Sequence, residues 1–448
     1  MMKRIIIVCI CFIGFASFSV KAQNCKENYL GSKTLYKNQQ EIYSQAPQGY
    51  LAVFINHVGR HGSRHVTKDV NTSYIYQLLM QADSVHALSA DGKLLKEKIL
   101  RFEKLEKKNF KSISFQGKKE QQGIADRMYA NFTNALDKPN LVINVAYTKE
   151  VRTLQTSDAF LTELKTKIKD PVISKQPNDT TLRFYDLSPA YLEFKENGNW
   201  MQYLQQLKAN VKYEALANSI TRQFFTPAFI NSVNKNDRDK FTADFFGFIT
   251  IFYSLQKETE EAGYKNEDIN MQSFLTCSQL IVLAKIDNAE DFLQKGPGTD
   301  VNGIQVKIAV PLLADFIKTT DAYINTKAVN AQLRFAHAET ISPYAALLGL
   351  TDADKATKKV NNIDKLWNAG KMIPLSSNIQ WILYKKEGSE NYLIKFLLNE
   401  KEVAVKGLNT KTFPYYNWND VRSFYIEKIQ SFNTSLDADY IQYLKELK

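Results

Sequence analysis

The chain has 448 residues, of which 44% are hydrophobic and 23% are charged. This length allows a large buried core, in one big domain or two interlocked ones, and the composition excludes wholesale disorder. The formal net charge is +11 at pH 7, which favours an anionic ligand, either small or polymeric. Nucleic acid is one polymeric candidate. However, the lysines are scattered among glutamates and form no single basic run, so we predict a solvated mixed surface and no nucleic-acid partner.

The first 22 residues have the pattern of a secretory signal peptide. Lys3 and Arg4 precede an apolar run over residues 5–20, and small residues follow near position 22. The run is shorter than the roughly 20 residues that a spanning helix needs; an uncleaved N-terminal anchor is the alternative. Loss of the signal, with its three basic residues, would lower the charge from +11 to +8. No later segment is long and apolar enough to cross a bilayer, so we predict an exported chain, periplasmic or secreted, with no membrane span in its mature part.

Cleavage would leave two of the four cysteines, because Cys9 and Cys11 lie in the signal. An oxidising compartment permits a disulfide between Cys25 and Cys277, but the sequence does not decide whether they pair. Two cysteines so far apart do not make a zinc site, and the five histidines show no metal-ligand spacing. We therefore predict no metal or other cofactor.

Residues 51–58 are mostly apolar and predict a buried strand of a parallel sheet. This strand runs directly into a polar turn, Gly59-Arg60-His61-Gly62-Ser63-Arg64. Apolar residues then return every three or four positions over 72–88 and over 93–108, which predicts two helices.

Two further predicted strands also end in polar residues. The strand over 141–147 precedes a helix that carries Arg152, and the strand over 331–336 runs into His337-Ala338-Glu339. Ligands of open α/β sheets bind beyond the carboxyl ends of the strands. We therefore expect the polar turn, Arg152 and the His-Ala-Glu segment to lie near one another.

Aromatic-rich helical patterns dominate residues 191–299, which we interpret as an inserted helical domain. A Gly-Pro-Gly turn at 296–298 closes this region, and the flanking residues, 23–190 and 300–448, are predicted to form one α/β core that also carries the polar segments. The predicted fold is therefore α/β, with a core sheet flanked by helices and a smaller helical domain inserted into it.

Near the C-terminus the periodicity changes. Residues 378–385 and 392–399 alternate between apolar and polar side chains, which predicts an antiparallel hairpin. A final helix is predicted over 420–446.

The segment Arg60-His61-Gly62-Ser63-Arg64 has the residues that phosphoryl transfer requires. Two arginines can offer planar donor pairs to phosphoryl oxygens, and Gly62 leaves room for close approach of the backbone. Their positive charges disfavour the imidazolium form of His61, so its ring stays neutral and nucleophilic. A basic turn with a surface histidine is the alternative interpretation. Ser63 does not lie in a G-x-S-x-G motif and is a poor nucleophile candidate.

Attack by histidine would leave an alkoxide that must be protonated. Glu339 is the best-placed carboxyl group to act as acid in the first step and as base for water in the second. Its neighbour His337 could donate to a phosphoryl oxygen. Taken alone, the His-Ala-Glu segment is a weak motif, because Glu is also common in the first turn of a helix.

The other three histidines have simpler interpretations. His57 lies on the first predicted strand, and we predict core packing for it. His65 follows the polar turn and is expected at the rim of the pocket. His86 lies in a helical stretch and is expected on the surface.

Several of these motifs, in this order, resemble the histidine acid phosphatases, the branch that includes phytases and acid phosphatases. The His-Ala-Glu form is similar to that of the multiple inositol polyphosphate phosphatases. The matching segments, which span nearly the whole mature chain, are Arg60-His61-Gly62-Ser63-Arg64, Arg152 with Thr156 and Phe160, Gly296-Pro297-Gly298, Pro311-Leu312-Leu313, His337-Ala338-Glu339 within 335–350, and residues 396–400.

The resemblance implies a phosphoglycerate-mutase-like core, a helical insertion and a pocket between the two. It implies that His61 is the nucleophile and Glu339 the proton donor. By the same resemblance, four residues hold the phosphate: Arg60, Arg64, Arg152 and His337. The implied substrate is phytate or a related inositol polyphosphate, a small anionic molecule that suits a basic chain.

Two features depart from the family pattern. The family usually has proline two residues after the second arginine, and this chain has Val66 there. Proline restricts the backbone, so its absence is expected to alter loop rigidity or substrate shape without removing a reacting group. Extracellular members also often carry several disulfides, whereas this chain has at most one after cleavage.

Three functions stay open at the level of sequence. The first is hydrolysis of inositol polyphosphates, and the second is a broader exported acid phosphatase that acts on sugar phosphates. The third is a protein that binds inositol phosphates without turnover, although such a binder would need neither His61 nor Glu339. The sequence does not indicate the oligomeric state.

Overall fold

The computed structural model describes residue 25 and residues 28–40 and 42–448. The predicted signal peptide, residues 1–22, lies outside this part of the chain. Across the residues that the structure describes, none of the helices has both the length and the apolar character needed to span a bilayer.

The centre of the molecule is one mixed sheet of eight strands. Its order is β3-β2-β4-β1-β5-β6-β7, and β8 pairs with β6 beside β7. The first four strands of this order are parallel, whereas β5 and the strands beyond it are antiparallel to their neighbours. The strands are β1 (Tyr50–Arg60), β2 (Val142–Tyr147), β3 (Val172–Pro177), β4 (Ala331–Ala336), β5 (Asn378–Lys386), β6 (Tyr392–Leu398), β7 (Lys401–Glu402) and β8 (Tyr415–Asn417).

Helices cover both faces of the sheet and fill the long connection between β3 and β4. Before β3 they are α1 (Tyr74–Ser84), α2 (Ala90–Glu106), α3 (Phe115–Asn131), α4 (Thr133–Leu136) and α5 (Val151–Leu164). Between β3 and β4 they are α6 (Asp179–Leu182), α7 (Pro189–Asn197), α8 (Trp200–Asn210), α9 (Tyr213–Phe224), α10 (Pro227–Ser232), α11 (Lys235–Ile251), α12 (Gln256–Glu261), α13 (Asn266–Ile269), α14 (Cys277–Lys295), α15 (Ile304–Lys307) and α16 (Val310–Thr326). After β4 they are α17 (Ala338–Leu348), α18 (Ile363–Leu366), α19 (Ala369–Met372), α20 (Trp418–Gln430) and α21 (Tyr440–Glu446).

The strand register brings three strand ends to one edge of the sheet. Arg60 at the end of β1 pairs with Ala336 at the end of β4. Tyr147 at the end of β2 pairs with Phe335 of β4. Because these strands are parallel, the segments that follow them leave the sheet on the same side. The predicted meeting of the three polar segments is explained by this register.

Two hydrophobic cores lie on the two faces of the sheet. The smaller one packs α3, α5 and neighbouring residues against one face. The larger one is continuous from the opposite face of the sheet into the helices between β3 and β4. The predicted α/β class is confirmed, whereas the division of the chain at residues 190 and 300 stays a prediction, because the helical region shares its core with the sheet.

Most predicted elements agree with the structure, and two differ from it. The last helix, predicted over 420–446, is two helices, α20 and α21, separated by residues 431–439. The edge strand β3 was not predicted, because its sequence, Val-Ile-Ser-Lys-Gln-Pro, is short and mostly exposed. Pairing with β2 along one side stabilises such a strand, and this pairing depends on the tertiary fold.

Cys25 and Cys277 form a disulfide, with Cα atoms 5.5 Å apart. Cys277 is the first residue of α14, so the bond attaches the N-terminal segment of the described chain to the beginning of this helix. That segment continues past Gly31–Lys33, a short 3₁₀ helix beside the edge of the sheet where the polar segments meet.

Candidate active site

The loop after β1 is held by backbone hydrogen bonds on both sides. The His61 N–H donates to the carbonyl of Ala336 at the end of β4, with an N to O distance of 3.0 Å. The His61 carbonyl accepts from the N–H of Ser376 at 3.0 Å. The position of His61 is therefore set by two neighbouring segments of the sheet edge and not by the loop alone.

The His61 ring is neutral, and one nitrogen is left with a lone pair. Its Nδ1 lies 3.0 Å from the carbonyl oxygen of Gly62. A carbonyl only accepts, so Nδ1 carries the hydrogen and Nε2 carries the lone pair. The side chain is 4% exposed. Burial, followed by the charges of Arg60 and Arg152, holds the pKa of His61 well below its usual value.

Three arginines surround this ring, and each keeps one donor unpaired. Arg60 donates through Nη1 to the carbonyls of Ser32 and Ile373, both at 2.6 Å. Arg64 donates to the carbonyl of His65 at 2.8 Å. In both of these side chains the Nε–H is buried and has no hydrogen-bond partner among the described residues.

Arg152, in the first turn of α5, also keeps a buried donor without a partner among the described residues. Its Nη1 donates to Glu150 at 2.9 Å, and its Nε–H is buried without a partner in the described chain. The crowding of cations is visible in Arg64, where burial, then Arg60 and Arg152, lowers the pKa to about 9. Three buried Nε–H donors, together with the charges of Arg60 and Arg64, which have no ion pair among the described residues, form a site for an anion with several oxygens.

His337 interacts with Arg152, in contrast to the expected free donor. Its Nδ1 lies 3.2 Å from Nη2 of Arg152, and its Nε2 lies 2.9 Å from the hydroxyl of Thr148. The guanidinium only donates, so Nδ1 accepts and the Nε2–H donates to Thr148. Both ring nitrogens are therefore engaged. The ring is 2% exposed and lies edge-on to His61, with centroids 5.6 Å apart.

Glu339 lies in the first turn of α17 and forms an ion pair with Lys295. Its Oε1 is 3.4 Å from Nζ of Lys295, and one third of the Glu339 side chain is exposed to the cavity. Burial by itself would raise the pKa of Glu339, but the positive charges around it, that of Lys295 first, outweigh burial and lower it. The carboxyl group is therefore ionised in the free protein, where a proton donor would have to be protonated.

One cavity of about 530 Å³ brings all six predicted site residues together. We call it the site cavity. It is lined by Ser32, Lys33, Arg60, His61, Arg64, Thr67, Lys111, Glu150, Arg152, Asp287, Asp291, Lys295, His337, Ala338 and Glu339.

Sequence reasoning missed the part of the site cavity that α14 contributes. Asp287, Asp291 and Lys295 follow one another at intervals of four residues, so they lie on one face of this helix. That spacing, directly before the Gly-Pro-Gly turn, was the available signal. Ser32 and Lys33 lie in an N-terminal segment without any pattern, and only the folded chain brings them to the site.

The buried carboxylate of Glu120 holds the loop after β1 in place. Glu120 accepts from the N–H and the hydroxyl of Ser63, at 3.0 and 2.6 Å, and from the hydroxyl of Ser376 at 2.7 Å. It also accepts from the N–H of Tyr36 at 3.2 Å. Four hydrogen bonds to one carboxylate hold the loop, the segment before β5 and the N-terminal segment in one arrangement.

Gly62 is required by the packing of the loop against α3. A Cβ at this position would lie 2.7 Å from the carbonyl oxygen of Gly117 and 2.8 Å from its Cα. The loop therefore crosses the first turn of α3 at a point where both chains have glycine. Space for the backbone of α3 is a reason for Gly62 that the sequence did not reveal.

Val66 uses the N–H group that a proline would lack. This N–H donates to Glu106 Oε2 at 2.7 Å, and the other oxygen of Glu106 accepts from Nδ1 of His65 at 2.9 Å. Glu106 is 2% exposed and His65 is 4% exposed. His65 is thus a buried support of the loop, and the expectation that it lines the rim is wrong.

The remaining two histidines are where they were predicted. His57 is buried, and its ring packs beside Phe160 and Phe335 at centroid distances of 5.8 and 5.6 Å. Burial lowers the pKa of His57 to about 3. His86 is exposed.

The described residues contain no group of three or more His, Cys, Asp or Glu side chains that could hold a metal ion.

A comparison with protein-family models identifies one family. The sequence model of the histidine phosphatase superfamily (branch 2) matches residues 53–399. A comparison with curated protein sequences gives no match.

Solved structures of three enzymes share the fold. The multiple inositol polyphosphate phosphatase of Bifidobacterium longum, in complex with inositol hexasulfate, has a TM-score of 0.76 and 20% identity over 89% of this chain and 97% of that chain. The phytase from D. castellii has a TM-score of 0.61 and 14% identity over 90% of this chain and 85% of that chain. The apo phytase of Hafnia alvei has a TM-score of 0.51 and 13% identity over 86% and 98%. At these identities the likeness establishes the fold.

Proposed function

This chain belongs to the histidine phosphatase superfamily, branch 2, and we propose that it removes phosphate from inositol polyphosphates through a covalent phosphohistidine on His61. One observation carries the proposal. The neutral His61 ring shares a cavity with three arginines whose Nε–H groups are buried and unpaired among the described residues. A buried donor without a partner costs roughly 1–3 kcal/mol. Three such donors around one imidazole therefore favour an anion with several oxygens, such as a phosphoryl group.

The first chemical step transfers the phosphoryl group to histidine. The lone pair on Nε2 of His61 attacks phosphorus while the ester P–O bond breaks, and the bond electrons go to the leaving oxygen. Glu339 gives its proton to that oxygen, which leaves as an alcohol. The three arginines neutralise the phosphoryl oxygens during transfer.

The second step releases phosphate. Water attacks phosphorus, the N–P bond breaks, and Glu339, now a carboxylate, takes the proton from water. His61 returns to its neutral form with Nδ1–H still bonded to the Gly62 carbonyl. His337 acts on the phosphate through Arg152, because its Nδ1 accepts from that guanidinium.

Substrate binding supplies the condition under which Glu339 can be protonated. In the free protein the positive charges around Glu339, that of Lys295 first, outweigh burial and lower its pKa. A phosphate group in the arginine cradle brings up to two negative charges close to this carboxyl group, and like charges raise the pKa of an acid. Acid conditions add to the same effect, so we expect the enzyme to work best in acid.

The size and charge of the site support an inositol polyphosphate as substrate. A volume of about 530 Å³ is suited to a small molecule. The net charge, which falls from +11 to +8 once the predicted signal peptide is removed, favours a highly acidic ligand. The similar B. longum structure contains inositol hexasulfate, an analogue of the same shape and charge type. The predicted signal peptide makes this an exported enzyme, and the steps above require no metal or other cofactor.

Release of inorganic phosphate by the purified chain tests this function. We expect wild-type protein to hydrolyse inositol hexakisphosphate and His61→Ala to lose activity by at least about 10³-fold. His86→Ala is the matched control, because it removes an exposed histidine. Equal release by wild type and His61→Ala would exclude His61 as nucleophile.

The same assay decides between the candidate substrates. A kcat/KM for inositol hexakisphosphate well above that for glucose 6-phosphate supports the proposal. Similar values for both would support the broader acid phosphatase. Tight binding of inositol hexakisphosphate without any release of phosphate would support the binding protein.

A further inference from the structure

Lys295 lies in the site cavity, and the two chemical steps above give it no role. Its Nζ is shared by two carboxylates, at 2.9 Å from Oδ1 of Asp291 and at 3.4 Å from Oε1 of Glu339. Lys295 is 14% exposed and Asp291 is 11% exposed. A lysine this buried has few alternative positions, so its contact with Glu339 is a fixed part of the site.

The backbone around Lys295 explains why the side chain is fixed. Lys295 is the last residue of α14, and Asp291 lies one turn earlier on the same face. The next residue, Gly296, donates its N–H to the carbonyls of Asp291 and Phe292 and closes the helix. A cation is favoured at this end of a helix. The Gly-Pro-Gly turn therefore ends α14 at the point where Lys295 reaches Glu339.

Lys295 is the one cation within ion-pair distance of Glu339 in the part of the chain that the structure describes. Other ionisable groups interact with Glu339 from the elements packed around it. They are His337 beside it, Arg60 and Arg64 in the loop after β1, Tyr185 between α6 and α7, Tyr191 on α7, and Asp291 through Lys295 on α14. Lys33, Lys111, Glu150, Arg152 and Asp287 line the same cavity without an ion pair to Glu339 among the described residues.

We propose that Lys295 is a positioning residue for Glu339: it holds the carboxylate in place through an ion pair, and it sets the pH range in which Glu339 can give its proton to the leaving oxygen. This inference rests on the proposed function. When Glu339 gives up its proton, Lys295 stabilises the carboxylate that forms, which makes Glu339 a stronger acid. The same stabilisation confines the protonated form of Glu339 to lower pH. Lys295 therefore confines the hydrolysis of alkyl phosphates to acidic pH.

The pH dependence of kcat/KM for Lys295→Met tests the inference. The assay uses glucose 6-phosphate, a poor leaving group that needs the acid, and p-nitrophenyl phosphate, which needs it less. Without the charge of Lys295, Glu339 stays protonated to higher pH. In the profile for glucose 6-phosphate, kcat/KM falls on the alkaline side as Glu339 loses its proton, and we call this fall the alkaline limb. We expect the midpoint of this limb to shift to higher pH by about one to two units. The limb for p-nitrophenyl phosphate should move much less. Glu339→Gln should abolish the alkaline limb for glucose 6-phosphate, and this loss would attribute the limb to Glu339.

Three further variants separate a positioning role from other roles. Lys295→Arg keeps the charge and should keep the wild-type limb. Asp291→Asn removes the carboxylate that competes with Glu339 for Lys295. Lys295 then pairs with Glu339 alone, so the alkaline limb should shift to lower pH. Lys33→Met is the matched control, because Lys33 also lines the cavity and also pairs with an aspartate of α14, Asp287, at 3.8 Å. It should leave the limb in place.

The results also distinguish this inference from the proposed function. An inactive wild type contradicts the proposed function itself. An active wild type whose alkaline limb is unchanged in Lys295→Met contradicts the inference alone. A raised KM with an unmoved limb would mean that Lys295 binds the substrate and does not act on Glu339.

Discussion

The loop after β1 and the helix α14 line the same cavity but carry their charges differently. Arg60 and Arg64 donate to backbone carbonyls, and the described residues give neither of them an ion pair. On α14, by contrast, each charged side chain that lines the cavity has a partner of opposite sign: Asp287 with Lys33 at 3.8 Å, and Asp291 with Lys295 at 2.9 Å.

This difference assigns two roles to two sides of one site. We call the loop after β1, together with Arg152 and the His-Ala-Glu segment, the loop side, and α14 with its partner Lys33 the α14 side. Uncompensated positive charge in a buried place is stabilised only when an anion arrives, so the loop side provides binding energy for a phosphoryl group. Paired charges change little when an anion arrives, because their fields partly cancel. The α14 side therefore acts on the state of nearby groups, above all Glu339.

Removing one charge from each side is the strongest test of this comparison. We expect Arg64→Leu to lower kcat/KM by about 10²- to 10³-fold, which corresponds to about 2.7–4 kcal/mol for a lost charge-stabilising donor. Lys33→Leu, on the α14 side, should lower it less than tenfold, because the charge removed is already paired with Asp287. Steady-state kinetics with inositol hexakisphosphate measures both, and thermal unfolding checks that both variants are folded. Equal losses would contradict the division between the two sides.

The two sides also differ in how far the sequence predicted them. The loop side is encoded locally, because Arg60, His61 and Arg64 lie within five consecutive residues at the end of a strand with a clear apolar pattern. Arg152 and the His-Ala-Glu segment follow strands of the same kind. Parallel pairing then brings the strand ends together by a general rule, so the contents of this side could be predicted in advance.

On the α14 side, the four-residue spacing shows which side chains share a face of the helix, but no local pattern shows what they contact. Lys295 reaches Glu339 only because the helices between β3 and β4 pack over the sheet edge with one continuous core. The pairing of Cys25 with Cys277 and the bond from Arg60 to the Ser32 carbonyl join residues that are far apart in sequence. The hydrogen bonds of His337 also depend on the tertiary fold, since Thr148 and Arg152 reach it from the end of another strand and from a helix.

Val66 offers a test of intermediate size, on the support of the loop side. Val66→Pro should lower the free energy of unfolding by about 1–3 kcal/mol, because it removes an N–H that donates to the buried Glu106 carboxylate at 2.7 Å. Val66→Ala keeps the N–H and is the matched control for the loss of the side chain. Denaturant unfolding measures both. A more stable Val66→Pro would show that ring rigidity outweighs this hydrogen bond and that the valine is not adapted to Glu106.

The smallest expected effect belongs to Asp287 on the α14 side. Burial, then the charge of Asp291, raises the pKa of Asp287 above its usual value, although Lys33 and Lys295 act in the opposite direction. The group is therefore neutral below this raised pKa and charged above it. Asp287→Asn mimics the neutral form, so the variant should match wild type in acid. At neutral pH it should bind an anionic substrate about twofold more tightly, because a partly exposed ion pair is worth at most about 1 kcal/mol. A KM that increases at every pH would mean that Asp287 itself contacts the substrate, and the α14 side would then contribute to binding as well as to proton transfer.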